Sequence, residues 1–80
     1  MKLLFYTTLG CHLCEQAAQI IAVVAQKRSE LEVVAVDIAD DDNLMEAYGI
    51  RIPVVKIPQR STDLGWPFDE SALTKYLEQA

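Results

Sequence analysis

No stretch of this chain is basic. Its seven lysines and arginines never cluster and face twelve acidic residues, for a net charge of -5, so no positive face for nucleic acid can be drawn. Nor is there a long apolar run. The longest, Ala17 to Ala25, is interrupted by Gln19 and is far short of the ~20 residues that span a bilayer. The amino terminus lacks the h-region and cleavage site of a signal peptide, because Met1-Lys2 leads at once into Leu3-Leu4-Phe5-Tyr6-Thr7. The expectation is a soluble cytoplasmic protein with neither membrane nor nucleic acid as partner. Histidine and cysteine are scarce, with one and two copies, fewer than the four ligands of a structural zinc site. His12 is wedged between the two sulfurs, a poor position from which to join them on an ion, and no metal is expected in one copy of the chain.

What is present is ordinary for a folded domain: 51% hydrophobic and 24% charged residues. A length of 80 residues suits one domain with a small core, and no linker, repeat or low-complexity segment divides residues 1–80. Lys2 to Thr7 reads as a buried strand. From about His12 to Arg28 the apolar residues Cys14, Ala17, Ala18, Ile21, Val24 and Ala25 recur at helical spacing. Leu31 to Ile38 reads as a second strand, in which Val33, Val34, Ala35 and Val36 form a continuous apolar run, as in a strand covered on both faces. A helix between two such strands makes them parallel by a right-handed crossover. An Asp from Asp40-Asp41-Asp42 caps a short helix through Leu44, Met45, Ala47 and Tyr48, which Gly49 stops. Val54 to Ile57 and Thr62 to Leu64 form an antiparallel hairpin about the turn Pro58-Gln59-Arg60-Ser61. Asp69 caps a last amphipathic helix with Leu73, Tyr76 and Leu77 inward. Trp66-Pro67-Phe68 is either an aromatic platform or packing under that helix. The order is βαβαββα.

The chemistry resides in Gly10-Cys11-His12-Leu13-Cys14. A strand that feeds a C-x-x-C at a helix start sets the first sulfur among unpaired N–H groups, which favour negative charge. The second sulfur lies one turn on, on the same side, within reach of a disulfide. The loop so closed is too small for much entropic stabilisation, so a catalytic or metal role outranks a structural staple. Thiol-disulfide exchange needs a thiolate at Cys11. Bringing a thiol from ~8.5 to ~7 takes about 2 kcal/mol, of which a helix dipole supplies about 0.3–1 kcal/mol. Backbone N–H groups of Leu13 and Cys14 are expected to contribute the rest, with His12 and Arg51 as candidate cations. Each has a plainer reading, His12 as a solvent-facing residue and Arg51 as a solvated charge at a strand edge. Pro53 either opens an edge strand or sits in a cis peptide bond.

Cys11-His12-Leu13-Cys14, this element order, and Ile52-Pro53 at a strand start together resemble the thioredoxin superfamily. With Tyr48-Gly49-Ile50-Arg51-Ile52-Pro53-Val54 and Trp66-Pro67-Phe68-Asp69, nearly the whole chain is similar to a small, mostly bacterial glutaredoxin-like family. The resemblance implies an α/β fold of thioredoxin-like, glutaredoxin type: a four-stranded mixed sheet with helices on both faces. It further implies a cis bond before Pro53, an Ile52 backbone that pairs with an extended substrate, and a redox pair made of Cys11 and Cys14. The residues that hold glutathione in typical glutaredoxins are replaced here. Thr8 stands at the Lys position, Arg51-Ile52 at the Thr-Val, and Gly65-Trp66 at the Gly-Gly, leaving only Asp69. The expected activity is therefore reduction or exchange of a protein or mixed disulfide by a monomer. Arg51, His12, Ile52 and Pro53 would contact the substrate, glutathione would serve at most as reductant, and no other cofactor is expected. The alternative is a dimeric carrier of a metal or [2Fe-2S] cluster on the same two cysteines.

Overall fold

A computed structural model describes residues 1–79 of the chain. Its backbone runs β1 (Lys2–Thr7), α1 (His12–Lys27), β2 (Glu32–Asp37), a 3-10 turn (Ile38–Asp40), α2 (Asp42–Tyr48), β3 (Val54–Lys56), β4 (Leu64–Gly65) and α3 (Glu70–Glu78). The strands form one mixed sheet in the order β2-β1-β3-β4. β1 pairs in parallel with β2, from Lys2 opposite Glu32 to Thr7 opposite Asp37. It pairs antiparallel with β3, which in turn pairs antiparallel with β4. This is the expected thioredoxin-like arrangement.

Alternation along β1 divides the core between the two faces of the sheet. Leu3 and Phe5 join Cys14, Ala17, Ile21 and Val24 of α1 and Leu73, Tyr76 and Leu77 of α3. Leu4 and Tyr6 face the other way, toward Ile38, Val54 and the Leu44 and Tyr48 side chains of α2. Leu3, Val54, Val55 and Leu73 are fully buried, each worth about 1.5–3 kcal/mol relative to exposure. The buried stripe of α1 is narrower than its sequence suggests, because Ala18 faces solvent.

Three elements depart from expectation. β2 lies at a sheet edge, so its apolar residues are only half-buried and Ala35 is exposed. The expected cover on both faces is present but partial: Val33 packs on the α1–α3 cluster and Val36 on the cluster beneath α2. The strand stops at Asp37, whose side chain accepts the Ala39 amide at 2.9 Å and turns Ile38 inward. In α2 only Leu44 and Tyr48 reach the core, whereas Met45 and Ala47 are exposed. Asp41 is its cap, accepting the amides of Asn43 and Leu44 at 2.8 and 3.2 Å. Gly49 closes the helix in a right-handed conformation, where an added Cβ would come 2.5 Å from the Met45 carbonyl oxygen. β4 begins at Leu64 rather than Thr62, since Thr62 and Asp63 are engaged by side chains of Tyr76 and Arg51 instead of by a neighbouring strand.

Tyr76 fastens α3 to the hairpin. Its buried hydroxyl accepts the Ile57 amide at 3.0 Å and donates to the Thr62 carbonyl at 2.7 Å. Arg60, from the turn, donates to the carbonyls of Tyr76, Leu77 and Gln79, satisfying acceptors left open at the helix end. Replacing Tyr76 by Phe strands the Ile57 N–H in the core, at a cost of about 1–3 kcal/mol. The expected result is a lower urea midpoint with an unchanged slope; an unshifted midpoint would show that the hydroxyl contributes nothing.

Candidate active site

β1 delivers the chain to the sheet end at Thr7, and the loop Thr8–Gly10 reverses it into α1. Gly10 makes that turn with φ at +76°. L-residues avoid this region, although no atom lies within 4 Å of where a Cβ would stand. Cys11 follows in extended backbone and occupies the N-cap position of α1. There its Sγ accepts the Cys14 amide at 3.1 Å and its carbonyl accepts the Glu15 amide at 3.2 Å. A cap usually offers an oxygen to these orphan donors; here sulfur takes that place. Among the described residues the Cys14 amide alone donates to the sulfur, without the second bond expected from Leu13.

The two sulfurs are joined as a disulfide, with the Cα atoms 5.1 Å apart. Their environments differ. Cys14 is 4% exposed within the apolar cluster under α1, whereas Cys11 is half-buried at its rim. Leu9, 91% exposed, and Leu13, 45% exposed, flank the pair on the surface.

The candidate cations are both engaged elsewhere. His12 projects into solvent and its Nδ1 lies 3.5 Å from Glu15 Oε2, not on sulfur. Arg51 forms a two-pronged pair with Asp63, Nη2 to Oδ1 at 2.6 Å and Nη1 to Oδ2 at 3.2 Å. Its guanidinium carbon lies 5.5 Å from the centroid of the Tyr48 ring, and Tyr48 stacks on Tyr6 at 4.4 Å. Tyr6 belongs to the sheet face opposite Cys14. The hydrogen bond that Arg51 donates to Asp63 raises the Arg51 pKa further above its usual value, and burial followed by Tyr48 raises that of Tyr6. Asp63 as the partner of Arg51 had no signal in the sequence, since the two meet only once the hairpin is folded.

Ile52 and Pro53 sit between α2 and β3. Pro53 is buried, and the Ile52–Pro53 bond is cis, as is Trp66–Pro67. Ile52 is half-buried and packs against the same cluster as Cys11. Its N–H donates to the Tyr48 carbonyl at 3.1 Å, and the Pro53 carbonyl accepts the Trp66 amide at 3.1 Å. Phe68 is buried and takes the Trp66 ring edge-on at 5.2 Å, so this aromatic pair is core packing. Asp69 caps α3 through the Ala72 amide at 2.8 Å, beside an open pocket of about 330 Å³ lined by Pro67, Phe68, Asp69 and Ala72. Among the described residues no three His, Cys, Asp or Glu side chains converge as a metal site.

Residues 2–78 match the family described as Glutaredoxin-like domain (DUF836). The chain belongs to that glutaredoxin-like family. This glutaredoxin-like protein is also similar to the solved structure of protein XcR50 from X. campestris, with 37% identity over 98% of this chain and 97% of that one, at a TM-score of 0.83. Protein Ne2328 from Nitrosomonas europaea is 26% identical over 94% of this chain and 88% of its own, at a TM-score of 0.77. Thioredoxin 1 from Thermosipho africanus shares the fold, with 16% identity over 98% of this chain and 96% of that one, at a TM-score of 0.66. Among curated proteins none matches. A paired C-x-x-C on a thioredoxin-like fold supports a redox-type role and dealings with thiols and disulfides. No helix among the described residues is long and apolar enough to cross a membrane.

Two outcomes follow from this geometry. After reduction, iodoacetamide should label Cys11 well before Cys14, as read by peptide mass; equal labelling would contradict the burial difference. Gly10→Ala forces an L-residue to positive φ at about 1–2 kcal/mol, so its melting temperature should fall, and an unchanged value would mean that the loop relaxes freely.

Proposed function

We propose that this glutaredoxin-like protein is a thiol-disulfide oxidoreductase that reduces protein or mixed disulfides through Cys11 and Cys14. The observation that carries this reading is the disulfide at the start of α1, with the Cys14 amide aimed at Cys11 Sγ. In the reduced protein the same N–H stabilises a Cys11 thiolate, and a hydrogen bond to a charged group is worth about 1.5–3 kcal/mol. Cys11 is the more accessible sulfur, so it is the one that attacks.

The thiolate of Cys11 attacks one sulfur of the substrate disulfide. A Cys11–substrate disulfide forms, the substrate S–S bond breaks, and the leaving thiolate takes a proton from water. Cys14, deprotonated, then attacks Cys11 Sγ and releases the second substrate thiolate. The substrate has gained two electrons and the Cys11–Cys14 bond is restored. A thiol reductant, with glutathione as the candidate, returns two electrons and resets the pair.

An extended protein segment suits this site better than glutathione as substrate. Glutathione carries two carboxylates, whereas Arg51 is already paired with Asp63 and His12 lies against Glu15. Ile52 offers a docking edge of one bond. Its N–H is spent on Tyr48, so its carbonyl would receive an amide of the incoming strand.

Turnover with insulin as disulfide and dithiothreitol as electron source tests the reading. Wild type should accelerate insulin reduction, Cys11→Ser should abolish the acceleration, and Cys14→Ser should accumulate a mixed disulfide visible as added mass. Full activity in Cys11→Ser would sink the mechanism. Faster turnover of glutathione disulfide than of insulin would sink the substrate preference.

A further inference from the structure

The segment that carries Ile52 and Pro53 is held lightly by its backbone. At its start, the amides of Arg51 and Ile52 share one acceptor, the Tyr48 carbonyl, at 2.8 and 3.1 Å. At its end, the Pro53 carbonyl accepts the Trp66 amide. Between Tyr48 and Arg51, Gly49 is half-buried and the Ile50 side chain is fully exposed.

The charged side chain of this segment reaches out to a different element. Arg51 holds Asp63, the residue directly before β4, with both prongs of its guanidinium. A planar fork on a carboxylate restricts distance and angle together, which a single ammonium contact does not. Behind the fork stands the ring of Tyr48, and behind that the ring of Tyr6 in β1, stacked within 14° of parallel. A row of contacts thus crosses the sheet face from β1 to the residue before β4, passing through the residue adjacent to Ile52. Asp63 is only 21% exposed, and Arg51 is 45% exposed.

We propose that Arg51 and Asp63 are positioning residues: their ion pair, seated on the Tyr48–Tyr6 stack, holds the Ile52–Pro53 edge in the geometry that receives a substrate strand. Neither touches the sulfurs or the substrate. The effect on turnover rests on the oxidoreductase reading above, whereas the effect on the edge itself does not.

The test compares wild type with Arg51→Gln, Asp63→Asn and the exchanged pair Arg51→Asp with Asp63→Arg. Lys27→Gln, which breaks the exposed Lys27–Glu70 pair, controls for loss of a surface charge. Amide hydrogen exchange by NMR reads the edge directly. In the two single variants the Ile52 and Trp66 amides should exchange about two- to fivefold faster, the span that an exposed ion pair's strength converts to. Phe5 in β1 should be unchanged, the exchanged pair should restore wild-type rates, and Lys27→Gln should have no effect. With insulin as substrate, KM should rise by about the same two- to fivefold factor at constant kcat, and the exchanged pair should recover it.

Unchanged exchange at Ile52 and Trp66 overturns the proposal, as does an equal rise at Phe5, which would make the pair a general stabiliser. Faster exchange with an unaltered KM overturns its role in docking. If wild type does not reduce insulin at all, the substrate reading fails, and the exchange measurement alone decides whether the pair holds the edge.

Discussion

The first N–H groups of an α-helix have no carbonyl to reach, and the place where β1 ends decides what meets them here. Gly10 turns the chain so that Cys11 arrives in extended backbone at the N-cap. Sulfur then occupies a position for which the helix already supplies a donor. The same constraint places Cys14 one turn later, where helical spacing directs it inward onto Ala17, Phe5 and the rest of that cluster. One geometric requirement therefore yields both an accessible sulfur and a sheltered one. The sheet beneath serves this requirement, since β1 lies between β2 and β3 and its end is held from both sides.

Much of this was legible in the residues themselves. A run such as Leu3–Thr7 followed by Gly10 and C-x-x-C has one economical folding, and Asp41 and Asp69 cap helices for local reasons that a short window contains. Periodicity also brought Cys14, Ile21, Leu73 and Tyr76 to the core. Less visible was anything that depends on which elements become neighbours. Val33, Val34 and Val36 read equally well as a buried strand or as an edge strand, because an apolar run records the wish to be covered and not the number of covering helices.

The candidate site divides along the same line. The cysteines could be assigned from spacing, since the helix that joins them is local. His12 and Arg51 could not, because each takes whatever acidic partner the fold supplies. Glu15 lies three positions from His12 on one helix face, a pairing that helical spacing allows. Asp63 reaches Arg51 only after the hairpin has returned the chain to the same sheet face. Tyr76 behaves likewise. Its ring was expected inside, but its hydroxyl gains meaning only from Ile57 and Thr62 across the hairpin.

The alternation of β1 has a consequence for how such a protein can diverge. Leu3 and Phe5 support the helix that presents sulfur, whereas Leu4 and Tyr6 support α2 and the aromatic row beyond it. The two sets share a strand but little packing. Substitutions on the α2 side should therefore leave the packing beneath the sulfurs largely undisturbed. A sheet divided in this way lets one face vary while the other keeps the cysteines where they are.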